Sequence, residues 1–150
     1  MTAPDACPLC QPPGTDVLWR NAHLRVVRVD DGAHPGYIRV IWQDHVAEMT
    51  DLRDGARLEI MRAVWLVEQA QRDVLHPDKI NMAQFGNMVP HLHWHIIPRW
   101  RDDTHFPAAI WAPPAIRSAD ELESWEKRKT HIQSALPRFY SALVQALSQA

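Results

Sequence analysis

The side chains most able to do chemistry crowd into one stretch, His91-Leu92-His93-Trp94-His95-Ile96-Ile97-Pro98-Arg99. Its three histidines alternate with large apolar residues, and period-two alternation predicts a half-buried strand. On such a strand His91, His93 and His95 share one face, while Leu92, Trp94 and Ile96 point into a core. Two chemistries suit imidazoles in this array. An H-x-H pair can hold zinc when a further ligand arrives from elsewhere, and the metal then activates water. Without a metal, a neutral imidazole, favoured at pH 7 by a pKa of about 6.5, can attack phosphorus and be released by water in a second step. Its neighbours would then orient it and donate hydrogen bonds to the developing charge. The spacing does not choose between the two.

A second constellation lies apart. Cys7-Pro8-Leu9-Cys10 is a C-x-x-C pair, and His45 and His91 are the nitrogen donors that would complete a Cys₂His₂ structural zinc site. The competing reading is a pair of free thiols near an irregular terminus. Of the remaining histidines, His23, His34, His76, His105 and His131 are expected to face solvent.

The chain's composition narrows its roles. At 150 residues, 46% hydrophobic and 23% charged, it fits one domain with a real core. A net charge of −2 gives no basic footprint, so extended nucleic-acid binding is disfavoured, while a small nucleotide needs only a local site. No run of about 18 apolar residues predicts a membrane span. Met1 to Pro8 lacks the basic and apolar regions of a signal peptide, so a cytoplasmic setting is the expectation. There, paired cysteines read as metal ligands or free thiols rather than a disulfide.

The elements that must position these residues follow from local signals. Val17 to Arg20 and Leu24 to Val29 form a hairpin across Asn21-Ala22-His23. Residues 30–36 are a loop, and Tyr37 to Trp42 is a strand antiparallel to its neighbour. Thr50 or Asp51 caps a helix whose apolar positions include Leu52, Leu58, Met61, Trp65 and Leu66. His76-Pro77 stops that helix near Leu75. Lys79 to Phe85 is a strand and Gly86-Asn87 a turn, and the histidine strand then runs to about Pro98. Residues 101–117 form an extended loop. Ser118 with Glu121 is a capping box opening a charged helix, which Pro137 interrupts or restarts.

The pattern H-φ-H-φ-H-φ-φ at residues 91–97 resembles the signature of the histidine triad (HIT) family of nucleotide hydrolases and transferases. Gly36-Tyr37-Ile38-Arg39-Val40-Ile41-Trp42-Gln43-Asp44-His45-Val46 is similar to the family's strand that ends in a histidine, and Asn81, Gly86 and Pro98-Arg99 also fit. The resemblance covers about residues 7–105 and leaves 106–150, a C-terminal loop and helix, outside it.

It implies an α+β HIT-like fold over residues 1–150, with a five-stranded antiparallel sheet, a long central helix and a C-terminal helical segment. Many members are homodimers. It further implies cleavage at the α-phosphate of nucleoside phosphoramidates or dinucleoside polyphosphates, with a purine nucleotide substrate and no cofactor needed for the chemistry. His93 would be the nucleophile, forming a nucleotidyl-histidine, with His91 and His95 beside it and His95 on the phosphate. Asn81, Gly86, Asn87, Met88 and Asp30 (of the Asp30-Asp31 pair, on the ribose) would complete the nucleotide site. Cys7, Cys10, His45 and His91 resemble the structural zinc set of some members. One departure stands out: relatives of the phosphoramidase branch carry a hydroxyl three positions before the triad, where this chain has Met88. A zinc-dependent hydrolase, or a nucleotide sensor with little turnover, are the rival expectations.

Overall fold

The computed structural model describes residues 6–12 and 14–150. Strand β1 (Val17–Arg20) turns back through Asn21, whose side-chain carbonyl accepts from the His23 and Leu24 amides, into β2 (Leu24–Arg28). A loop leads to β3 (Ile38–Trp42), then a 3-10 turn (Met49–Asp51) and helix α1 (Asp54–Leu75). Strands β4 (Lys79–Ala83) and β5 (His93–Arg99) follow, and α2 (Ala119–Gln149) closes the chain. The sheet is five-stranded, in the order β1-β2-β3-β5-β4, and every neighbouring pair is antiparallel. Among the described residues no helix is long and apolar enough to cross a membrane.

Both helices pack on one face of this sheet. Helix α1 buries Ile60, Ala63, Val64, Val67, Ala70 and Leu75, a stripe at three- and four-residue spacing. These side chains meet Leu24, Val26, Ile38, Val40, Leu92 and Ile96 from the sheet, and Trp125, Ile132, Phe139, Leu143 and Leu147 from α2, in one core cluster. Buried Gln71 ties helix to sheet, donating to the Gly36 and Ile96 carbonyls at 2.9 and 3.0 Å. Gly36 is required there: its φ is +82°, and a Cβ would sit 2.5 Å from Leu75 Cδ1.

The local expectations hold with five adjustments. The apolar stripe expected for α1 is not its buried face: Leu52 precedes the helix, Leu58 and Trp65 are exposed, and Met61 and Leu66 are only partly buried, because the sheet meets the face carrying Ile60, Val64 and Val67. Thr50 and Asp51 do not cap α1; they sit in the 3-10 turn, where Glu48 and Asp51 form the capping box, and α1 begins three residues later at Asp54. His76 ends it in a left-handed conformation, a common helix stop, and the following proline cannot continue the helix. Helix α2 runs unbroken through Pro137. The proline is exposed, and the cost of about 3 kcal/mol for a mid-helix proline is offset by Ile132 and Phe139, buried on either side. His91 lies before β5 rather than on it. Finally, His34 is not solvent-facing but buried, between Asp31 (Nδ1 to Oδ1, 3.3 Å) and His105 (Nε2 to Nδ1, 3.2 Å).

Candidate active site

Because strand side chains alternate, the residues of β2, β3, β4 and β5 that do not enter the core line the sheet's other face. The register puts Ala83, His95, Arg39 and Val27 in one row, and His93 and Ile41 with Arg25 in the next. Two irregular segments cover parts of this face. At one end residues 6–12 are held by Arg25, which donates to the Leu9 carbonyl at 2.5 Å. At the other, residues 101–117 are strapped down by buried Arg99. Its guanidinium reaches Asp103 at 2.7 and 3.0 Å, the Ala108 carbonyl at 2.8 Å and Asn81 Oδ1 at 2.8 Å. Asp103, with 0% exposure, also accepts from the His105 and Phe106 amides. Burial alone would raise its carboxyl pKa, yet the Arg99 bond and these amides hold it below the ordinary value.

Between the two covers lies a cleft of about 530 Å³. His93 and His95 form its polar floor with Arg39, residues 85–89 make one wall, and Trp111 closes the rim. The two imidazoles meet edge to face, with centroids 4.8 Å apart.

Each triad histidine is fixed by a different partner, and the partner sets which nitrogen is free. His93 Nδ1 lies 2.6 Å from the His91 carbonyl. A carbonyl only accepts, so Nδ1 carries the hydrogen and Nε2 keeps its lone pair. Burial lowers the His93 pKa, against the carbonyl bond that raises it, so that lone pair stays available near neutrality. His95 Nδ1 meets the Tyr37 hydroxyl at 2.5 Å. With the hydroxyl donating, the hydrogen of His95 resides on Nε2, making it a donor. Burial first, then His93 and Arg39, pull the His95 pKa down to about 4. One neutral imidazole thus offers a lone pair, and its neighbour an N–H.

His91 is turned away from this pair. Its Nε2 lies 2.6 Å from the Trp42 carbonyl and donates to it, which leaves Nδ1 as a lone pair facing Cys7 Sγ and Cys10 Sγ, both at 3.5 Å. His45 Nδ1 stands 3.3 Å from Cys10 Sγ. These four donor atoms lie within 4.8 Å of one another. Zinc–sulfur and zinc–nitrogen bonds of about 2.3 and 2.0 Å at tetrahedral angles put S and N about 3.5 Å apart, so the four side chains fit a closed zinc site. A metal here would supply structure, joining the Cys7–Cys10 segment to the start of β5.

The other expected residues divide. Gly86, Asn87 and Met88 line the cleft. Gly86 takes φ +78°, and Met88 is 94% exposed. Asn81 does not line it; its side-chain oxygen accepts from Arg99. Asp30 lies in an adjoining cleft of about 340 Å³ lined also by Asp16 and Val27, which shares Arg39 with the histidine cleft. Asp31 instead caps its own turn, accepting from the Ala33 amide at 2.9 Å.

Four residues went unseen in the sequence, three lining the cleft and Tyr37 behind it. Tyr37 and Arg39 had a signal: they flank the core residue Ile38 where β3 begins, and a lone arginine in an apolar strand is itself a marker. Phe85 and Trp111 meet edge to face at 4.8 Å, and both touch the His95 ring. Trp111 gave no signal, because it arrives from a loop without periodicity.

The HIT domain family model matches residues 14–102, more than half of the chain. The chain belongs to the HIT family. Solved structures agree with the fold. A histidine triad protein of Bradyrhizobium japonicum is 25% identical, with 77% of this chain and 90% of that one covered at a TM-score of 0.60. A HIT family protein of Bacillus anthracis is 18% identical, with 85% and 96% covered at 0.60. A curated Mycobacterium tuberculosis protein named AP-4-A phosphorylase is 29% identical over 83 residues, 51% of this chain. The match spans 43% of that relative's length.

Proposed function

We propose that the protein cleaves nucleotides at the α-phosphate, through a covalent intermediate on His93. The observation that carries this reading is a pair of adjacent imidazoles each anchored through Nδ1, His93 by the His91 carbonyl and His95 by the Tyr37 hydroxyl, which leaves both Nε2 atoms for the substrate. His93 Nε2 attacks the α-phosphorus, forming a P–N bond as the bond to the leaving group breaks and its electron pair departs with that group. His95 donates to a non-bridging oxygen, where charge builds. The carbonyl of His91 stabilises the positive charge that His93 acquires. Water then attacks the same phosphorus and gives up a proton to solvent, the P–N bond breaks with its electron pair returning to Nε2, and the nucleoside monophosphate leaves with His93 neutral again. Inorganic phosphate in place of water would make the same site a phosphorylase.

Among the described residues that line the cleft there is no hydroxyl or carboxyl side chain. An amine leaving group must gain a proton, whereas a phosphate chain departs as a stable anion near neutral pH. Met88 at the hydroxyl position therefore favours phosphoanhydrides, dinucleoside polyphosphates among them, over phosphoramidates, and the name of the mycobacterial relative points the same way. A catalytic zinc on the triad is disfavoured by geometry, since the donors that converge are Cys7, Cys10, His45 and His91.

Intact-mass analysis tests the proposal. Protein mixed with diadenosine tetraphosphate and quenched in base should carry an adenylyl adduct that is missing from His93→Ala. An adduct that persists in the variant refutes the nucleophile, and tight nucleotide binding without any turnover refutes the enzyme reading in favour of a sensor.

A further inference from the structure

Arg39 is an uncompensated charge at the floor of the cleft. It stands directly across from His95 in the β3–β5 register, where facing side chains have Cβ atoms about 5 Å apart. It lines both the histidine cleft and the adjoining one that holds Asp30. Among the described residues no other side chain lining the histidine cleft carries a fixed charge, since the two imidazoles are largely neutral at pH 7 even as free groups. Among the described residues no carboxylate lies within ion-pairing distance of Arg39, and its buried Nε has no hydrogen-bond partner. Tyr37, whose ring lies 5.7 Å from the guanidinium carbon and whose hydroxyl accepts a hydrogen bond from Arg39, offers a cation–π contact and an acceptor but no counter-charge.

A half-buried guanidinium without a counter-ion costs stability, and such a cost is retained where a ligand supplies the missing charge. We propose that Arg39 is a phosphate-binding residue of this cleft, gripping the same α-phosphate that His95 touches and providing the anion's only fixed counter-charge. The inference rests on the nucleotide-cleaving reading and deepens it. Arginine suits the task because its planar fork can contact two phosphate oxygens at once. Its place between the clefts also sets direction: the phosphate lies over β5, and the nucleoside extends across β3 and β2 toward Asp30 and Asp16.

The test compares adenosine 5′-monophosphate with adenosine, by calorimetry at fixed salt, on wild type, Arg39→Met and Arg39→Lys. A lost charged hydrogen bond predicts that Arg39→Met weakens monophosphate binding about ten- to hundredfold with adenosine affinity within twofold, and that Arg39→Lys recovers part of the loss. Arg39→Met should melt close to wild type, because the substitution breaks no ion pair and trades the contact with Tyr37 for relief of an unpaired charge. Equal losses for both ligands, or a monophosphate change under threefold, overturn the Arg39 assignment and leave the His93 reading standing. Wild-type protein that binds neither ligand overturns both.

Discussion

The buried state of His95 has a measurable thermodynamic consequence. Its side chain is 6% exposed, and its pKa falls from an ordinary 6.5 to about 4, first through burial and then through His93 and Arg39. The unfolded chain therefore takes up this proton at a higher pH than the folded one. Between pH 6.5 and 4 the unfolded state binds more protons, so stability declines as the pH falls through that window. The contribution is complete above about pH 6.5 and lost progressively toward pH 4. Below that both states are protonated and the loss levels off. At about 1.36 kcal/mol per pKa unit, the span corresponds to about 3 kcal/mol, a large share of a typical domain's stability.

Urea unfolding of wild type and His95→Gln at intervals from pH 7.5 to 4 isolates this term. Other groups titrate in both proteins, so the signal is the difference between the two stability curves. Wild type should lose about 3 kcal/mol more than the variant across the window, with the steepest divergence near pH 5. Parallel curves would mean that His95 titrates normally in the folded protein. A wild type that gains stability relative to the variant on acidification would reverse the sign. Either result refutes the claim that burial holds His95 neutral well into the acid range.

Other consequences follow from the same contacts. Tyr37→Phe removes the hydroxyl that meets His95 Nδ1 and should lower kcat/KM about tenfold, with about 1 kcal/mol lost in urea unfolding; unchanged kinetics would dissociate Tyr37 from the tautomer of His95. Cys7→Ser/Cys10→Ser protein should lose the stoichiometric zinc that elemental analysis is expected to find in wild type, and zinc at one equivalent in both would refute the four-donor site. Asp103→Asn leaves the Arg99 guanidinium buried beside a neutral amide. It should cost about 3–5 kcal/mol and expose the 101–117 segment to limited proteolysis, and a wild-type melting temperature would contradict its role as a strap.

What the sequence made legible was whatever depends on local period and local chemistry. The hairpin at Asn21, the stop at His76-Pro77, the capping box at Ser118 and the alternation through His93-Trp94-His95 each arise from a few neighbouring residues. All four are visible without knowledge of the fold. The family resemblance extended this to a five-stranded antiparallel sheet and to the cluster of Cys7, Cys10, His45 and His91, whose members come from three separate segments. Contacts made across the sheet stayed hidden. Asn81 was expected to face the nucleotide, but Arg99 captures its side-chain oxygen, and nothing local to Asn81 announces that competitor. His34 reads as a loop histidine, yet the strap brings His105 over it. The continuity of α2 through Pro137 is decided by burial on both sides of the proline, a tertiary effect that outweighs propensity.

The three histidines are not equivalent, and their differences are linked through one peptide unit. The His91 ring presents Nδ1 to the two cysteines, while the His91 carbonyl accepts the Nδ1 hydrogen of His93. Zinc held by Cys7, Cys10, His45 and His91 would immobilise the residue whose backbone fixes the nucleophile's tautomer, and at the same time press Pro8 and Leu9 into the cleft wall. A cluster with no part in the chemistry can thereby govern it. Zinc removal should accordingly lower kcat more than it weakens nucleotide affinity, because Arg39 and the 85–89 wall bind the ligand from the opposite side. A chelated protein that keeps its full kcat would break the proposed link between His91 and His93, while leaving the roles of His93 and His95 intact.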